Sequence, residues 1–327
     1  MRIAVVRLSA FGDIIQSMIL VQFIKRRYPQ STLDWIIDSK FSEIARLNNQ
    51  IDSVIEVRLS EIKKSKNLFH LIKHFAELRK VPTYDVVIDT QGLLKSAIIS
   101  KIIPSIRTIG FDRKSARESL ASFLYSRSFN IPYETNVIER YCLLISKALD
   151  INITKENILE KEAIYQIPKI NLPKERLVSI IVGASFSSKI YPIENYRLII
   201  EKLDSKFICL WGNNTEFKLA KKLSELNAKI SISKKTTIAE LLQIISSSSL
   251  VIGGDTGPTH LAWALNIPSI TLFGSTPGYR NMYETKKNLK LESHTAVNPK
   301  KINKHDYSIA DINPKDILKM AKELLKA

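Results

Sequence analysis

The residues best suited to chemistry lie in one short run, Gly253-Gly254-Asp255-Thr256-Gly257-Pro258-Thr259-His260. An apolar strand, Leu250 to Gly253, leads into it, and a helix is expected from Thr259 to Leu265. Glycines let backbone approach a ligand closely, and the unpaired N–H groups of a helix start attract phosphate. His260 adds a donor that can carry charge near neutral pH. The plainer alternative is an ordinary strand-to-helix loop with Asp255 or Thr256 as the cap. Crowding of Asp, Thr, Gly and His into the six residues 255–260 weighs toward phosphate.

Three further positions sit at equivalent strand ends. Asp13 follows the apolar run Arg2 to Leu8 and the turn Ser9-Ala10-Phe11-Gly12. The dipole of the helix it opens favours its ionised form, and such a carboxylate could take a proton from a hydroxyl. Plain helix capping explains it equally well. Lys189, in Ser185-Phe186-Ser187-Ser188-Lys189-Ile190, could clamp a phosphate or be a surface lysine. Glu216, after Trp211-Gly212-Asn213-Asn214-Thr215, could accept from ribose hydroxyls or simply occupy a helix's first turn. One glycine, Gly12, in the first turn is no G-x-G-x-x-G fingerprint, which lowers a dehydrogenase reading. No Asp-x-Asp, H-E-x-x-H or P-loop occurs, so metal-assisted transfer and NTP hydrolysis are not expected.

The elements that must hold these residues alternate. Strands are expected at Thr32–Ile37, Val54–Val57 and Asp85–Asp89, with helices at Asp13–Arg27 and over the basic stretch Ser60–Lys80. Ile167 to Pro173, with two prolines and no apolar period, reads as a linker. Alternation then resumes through strands at Val178–Val182, Phe207–Trp211, Lys229–Ile232 and Ser269–Phe273. Helices are expected at Ile193–Leu203, Glu216–Leu226, Ile238–Ser246 and Pro314–Lys326. This pattern predicts an α/β chain of two doubly wound, Rossmann-like domains, 1–168 and 169–327, facing a central cleft. The last helix, about 314–326, is a candidate to pack back on the first domain. No internal repeat is visible.

Composition bounds the partners. The 327 residues are 45% hydrophobic and 25% charged, as in a soluble globular protein, with a formal net charge of +17. That excess points to acidic partners, although genomic bias toward Lys supplies an alternative source. Two basic clusters fall in the first half. One contains Lys63 and Lys64, and the other contains Arg107, Arg113, Lys114, Arg117 and Arg127. A solvated face explains some of these; a polyanionic ligand explains more of them together. Cys142 and Cys209 read as buried thiols, which suits a reducing cytosol. The apolar N-terminus resembles a signal peptide, but Arg7 and Asp13 interrupt it and no A-x-A site follows.

Together these segments resemble the lipopolysaccharide heptosyltransferases, GT-B enzymes of glycosyltransferase family 9 that use ADP-heptose. Leu8-Ser9-Ala10-Phe11-Gly12-Asp13 is similar to the family's opening S-x-x-G-D, and Gly254 to His260 to its D-T-G-x-x-H segment. Two stretches, Asp89-Thr90-Gln91-Gly92-Leu93-Leu94-Lys95-Ser96-Ala97 and Ala116 to Arg127, resemble the heptosyltransferase I branch. Ser185-Phe186-Ser187-Ser188 stands where the family usually begins with threonines.

The resemblance implies Asp13 as catalytic base and Lys189 as the cation that stabilises the departing diphosphate. It implies Ser185, Lys189, Glu216, Asp255, Thr256, Gly257 and His260 on the donor. It implies Ser9, Gly12, Gln91, Lys95, Arg117, Lys63 and Lys64 on the acceptor. The implied reaction is inverting and metal-free, with no cofactor. L-glycero-D-manno-heptose passes from ADP-heptose to the 5-hydroxyl of Kdo on Kdo2-lipid A. It implies work at the anionic cytoplasmic face of the inner membrane, as a peripheral, cytoplasmic enzyme. Rivals are a sister enzyme adding the second heptose, a silent sugar-nucleotide binder and a basic nucleic-acid-binding protein. The last lacks a recognised motif or aromatic interleaving, so no nucleic acid partner is expected.

Overall fold

A computed structural model describes residues 1–59, 68–167 and 176–326. The chain divides into two compact units, Met1–Tyr165 and Gln166–Ala327. The expected linker from Ile167 to Pro173 lies mostly outside the described residues, as do Lys63 and Lys64.

Among the described residues the first unit's sheet has six strands: β1 (Arg2–Val6), β2 (Thr32–Asp38), β3 (Ser53–Val57), β4 (Tyr84–Asp89), β5 (Ser105–Phe111) and β6 (Arg127–Phe129). All neighbours pair in parallel, in the order β3-β2-β1-β4-β5-β6. The second unit contains β7 (Leu177–Ile181), β8 (Lys206–Leu210), β9 (Ile230–Ile232), β10 (Leu250–Gly254), β11 (Ser269–Phe273) and β12 (Asn288–Glu292). Its order is β12-β11-β10-β7-β8-β9, again all parallel. Counted from each unit's first strand, both sheets run 3-2-1-4-5-6, the Rossmann order.

Central strands such as β1, β10 and β11 are buried almost end to end, as a sheet covered on both faces requires. Local signals set the helix boundaries. Thr237 and Glu240 form a capping box on Ile238–Ser246, and Asn136 caps Val137–Leu149. The single helix expected over Asp13–Arg27 is instead two, Phe11–Ser17 and Ile19–Arg27. They join at Met18, whose N–H is shared between the Ile14 and Ile15 carbonyls. Cys142 and Cys209 are free and buried, and burial pushes both thiols up, Cys209 to about 12.

The closing helix, Pro314–Lys326, packs within the second unit. It joins the second unit's own core, burying Ile317, Ala321 and Leu324 with Val178, Ile199 and Ile252. Its strongly one-sided apolar stripe needs one cover, and the helix Tyr196–Lys202 together with β10 and β11 supplies it.

Candidate functional site

In a 3-2-1-4-5-6 sheet the chain leaves the first and fourth strands in opposite directions, opening a crevice at their carboxyl ends. In the first unit that switch point lies between β1 and β4, and it collects the opening motif and the Gln91 motif. Asp13, in the first turn of Phe11–Ser17, accepts from the Ala10 N–H at 3.3 Å. Its Oδ1 lies 3.0 Å from Arg7 Nη2. Arg7 is buried, donates from Nη1 to the Thr90 carbonyl at 2.7 Å and packs over the Tyr141 ring. Burial works against its charge, but Tyr141, Asp13 and Asp89 together raise its pKa further. In the sequence Arg7 reads only as an interruption in an apolar run. The structure makes it the group that orients Asp13.

Gln91 accepts from the Leu8 N–H at 2.9 Å and reaches Ser9 Oγ at 3.3 Å, while Lys95 Nζ donates to the same hydroxyl at 3.1 Å. Ser9, Gln91 and Lys95 thus form one bonded group beside Gly12 and Asp13. Asp89 holds the turn beneath them. Its Oδ1 accepts from the Gln91 and Gly92 N–H groups, at 2.7 and 3.2 Å, and its Oδ2 from the Tyr125 hydroxyl at 2.7 Å. Gly92 has φ 66°, the left-handed region that glycine tolerates. Burial raises the Asp89 pKa against these bonds, and raises that of Tyr125.

The Gln91 stretch and the Ala116–Arg127 stretch are therefore one structure. Tyr125 is bonded to Asp89, Glu118 accepts from the Leu94 N–H at 2.6 Å, and the Glu118 N–H returns to the Gly92 carbonyl. Gly110 leaves the space that the Tyr125 ring fills. Arg117 lies exposed on this same loop.

The second unit repeats the arrangement at its own switch point, between β7 and β10. Asp255, buried at the end of β10, accepts at Oδ2 from Thr276 Oγ1 (2.9 Å) and Asn281 Nδ2 (3.2 Å), with Lys189 Nζ 2.8 Å away. His260 Nε2 lies 3.0 Å from Oδ1. Burial alone would raise the Asp255 pKa. The Lys189 ammonium and the His260 hydrogen bond more than reverse it and hold the carboxyl well below the usual range. Asp255, expected as a ligand-binding group, thus serves first as the anchor that places Lys189 and His260. Thr276 and Asn281 gave no sequence signal, because they come from segments well beyond the motif.

Thr256 occupies the N-cap position of Gly257–Ala264 without the usual side-chain bond to the helix, and Pro258 stands in its first turn. Gly254 lies against the Lys189 carbonyl oxygen, where a Cβ would overlap it. Gly254→Ala should lower the thermal-unfolding midpoint, at a cost of about 1–3 kcal/mol. An unchanged midpoint would show that the Lys189 loop can yield.

A cavity of about 710 Å³ opens beside this set, lined by Ser187, Ile190, Gly212, Asn213, Glu216 and Lys235 among others. Glu216 lies across Gly183 and is fixed by the Gly212 N–H at 2.6 Å and the Asn213 amide at 2.7 Å. Ser187 lines the cavity, whereas Ser185 lies exposed in the same loop. Lys235 joins the wall from the approach to Ile238–Ser246, where its sequence context carries no motif. Among the described residues no group of three or more His, Cys, Asp or Glu could hold a metal ion.

The family model for glycosyltransferase family 9 (heptosyltransferase) matches residues 71–306. The chain belongs to this family. It is 38% identical to lipopolysaccharide heptosyltransferase 1 of Campylobacter coli, over 99% of each chain. It is 24% identical to lipooligosaccharide heptosyltransferase 2 of Haemophilus influenzae, again over 99% of each. In structure it is similar to the E. coli heptosyltransferase WaaC with ADP, with a TM-score of 0.82 at 22% identity, covering 99% of this chain and 100% of that one. The fold is accordingly that of a GT-B glycosyltransferase, and the two Rossmann-like sheets are its two domains.

Proposed function

We propose that this heptosyltransferase adds the first heptose of the lipopolysaccharide inner core. The donor is ADP-L-glycero-D-manno-heptose, and the acceptor is the 5-hydroxyl of Kdo on Kdo2-lipid A. The observation that carries this is the 38% identity to heptosyltransferase 1 across 99% of both chains. The identity to the relative named heptosyltransferase 2 is lower, at 24%.

The reaction in this reading is a direct displacement. Asp13 takes the acceptor hydroxyl proton as that oxygen bonds to the anomeric carbon. The bond from that carbon to the ADP oxygen breaks with its electron pair, and the configuration inverts. Lys189, His260 and the start of Gly257–Ala264 face the charge that gathers on the diphosphate. Glu216 and the cavity beside it take the nucleoside, while Ser9, Gln91, Lys95 and Arg117 take the anionic acceptor. Neither a metal nor a cofactor is called for. The Asp255 oxygens are already committed to Lys189, His260, Thr276 and Asn281.

No helix among the described residues is long and apolar enough to cross a membrane. We place the enzyme on the cytoplasmic surface of the inner membrane, where its lipid acceptor is anchored. Its net charge of +17 favours an anionic face.

The test is mass analysis of products from purified chain, ADP-heptose and Kdo2-lipid A, in chelator, with UDP-sugars as control donors. One added heptose is expected on Kdo2-lipid A. Product only on an acceptor that already carries a heptose would assign the second transfer instead. Product only after a divalent metal is restored would overturn the metal-free mechanism.

A further inference from the structure

The acceptor-side structure of the first unit carries an apolar surface that its own fold leaves uncovered. Residues Ser119–Leu124 form a 3₁₀ helix, in which side chains three apart share a face. Ala121 and Leu124 face inward and pack with Ala97 of the helix Leu94–Ile102 and with Tyr125. Leu120 and Phe123 therefore share another face, and they are 62% and 70% exposed. On Leu94–Ile102, the i,i+4 pair Leu94 and Ile98 lies on one stripe beside the Ala97 contact, 38% and 37% exposed. The bond from the Leu94 N–H to Glu118 ties the two helices together at this point.

The stretch of chain that carries these side chains is basic. Between Leu94 and Arg127 the chain carries Lys95, Lys101, Arg107, Arg113, Lys114, Arg117 and Arg127 against only Asp112 and Glu118. One of the two acids, Glu118, is occupied with the Leu94 N–H. Large apolar side chains kept exposed inside a basic setting match an interface between headgroups and acyl chains. A protein partner of ordinary surface offers no such pairing of negative charge with hydrocarbon.

We propose that the face bearing Leu120, Phe123, Leu94 and Ile98 docks this enzyme on an anionic bilayer, with Leu120 and Phe123 entering the acyl region and the basic residues meeting headgroups. The inference deepens the proposed function, since it rests on a lipid-anchored acceptor. It places the membrane contact on the structure that carries Gln91, Lys95 and Arg117, so a membrane-anchored acceptor would emerge beside the groups that bind it.

The test uses the full chain and vesicles of phosphatidylcholine, with or without an equal share of phosphatidylglycerol, and no acceptor. Binding there reports bilayer rather than an acceptor's own acyl chains. The parent should co-sediment with the anionic vesicles, and the double variant Leu120→Ser, Phe123→Ser should partition at least tenfold less. Its thermal midpoint and its activity on a deacylated, soluble acceptor should match the parent's. Phe123→Trp should shift the added indole emission to the blue with anionic vesicles. Equal partitioning of parent and double variant, or an unmoved indole, would overturn the docking surface. Loss of soluble-acceptor activity in the double variant would do so too, by making these residues part of the reaction site. An inactive parent that still binds vesicles through this face would instead sink the proposed acceptor and leave the docking surface standing.

Discussion

Asp13→Asn should give a folded chain whose turnover is about 10²–10⁴ lower, the range that general-base help supplies. The amide keeps the shape of the carboxylate and can still accept from the Ala10 N–H, but it cannot take a proton. Folding should survive for two reasons. The Asp13 side chain is 42% exposed, so the ion pair itself contributes little. Arg7 also keeps the Thr90 carbonyl and the Tyr141 ring when its carboxylate is lost. The loss should fall on kcat with donor KM unchanged, because Asp13 belongs to the unit opposite in sequence to Lys189 and Asp255. Steady-state kinetics with a thermal melt on the same preparation make the check. Near-normal kcat in a folded variant would remove Asp13 from the base role. A rise in donor KM alone would make it a binding group.

The strand ends were the legible part of this protein. Ser269–Phe273 and Ile238–Ser246 fall where the apolar pattern predicts them. Most other expected strands agree within a residue or two, because a strand buried on both faces must be apolar almost throughout. The same logic explains what was missed. β5 and β6, with exposed Arg107 and Arg127, lie toward one edge of their sheet, and β12, carrying Lys290 and Glu292, forms an edge of the other. Their polar content hides them from a search for apolar runs.

No residue-level repeat marks the two like sheets, since fold repetition needs a matching burial pattern and not matching residues. At the site, motifs exposed the residues that lie close in sequence, such as Asp255 and His260. They could not expose the long-range partners. Arg7 reads as a flaw in an apolar strand until Asp13 is seen against it. Thr276 and Asn281 are ordinary polar residues until the fold brings them to Asp255.

Removal of the cation at that carboxylate gives the second large effect. Lys189→Met keeps the length of the side chain and discards its charge, and kcat should fall by about 10²–10³, the loss seen when one preplaced donor to a developing anion is removed. Unlike the Asp13 variant, this one should also show its change without substrate. Lys189 Nζ lies 2.8 Å from a buried Asp255, whose other donors remain in place. Removing one partner of a buried pair costs about 3–5 kcal/mol, and the three donors left behind should hold the loss below that.

The pH dependence identifies the cause. Asp255 in the folded parent sits well below the value of about 3.9 that it has unfolded. Its contribution is therefore complete above that value and is lost as pH falls below it, toward the folded value. With Lys189 gone the folded carboxyl is easier to protonate, so the variant has less of this contribution to lose. Urea titrations across the acid range should show the parent losing stability more steeply than Lys189→Met below about pH 4, where unfolded Asp binds its proton. Parallel curves would mean that Lys189 does not set the charge on Asp255, and the low kcat would then need another origin.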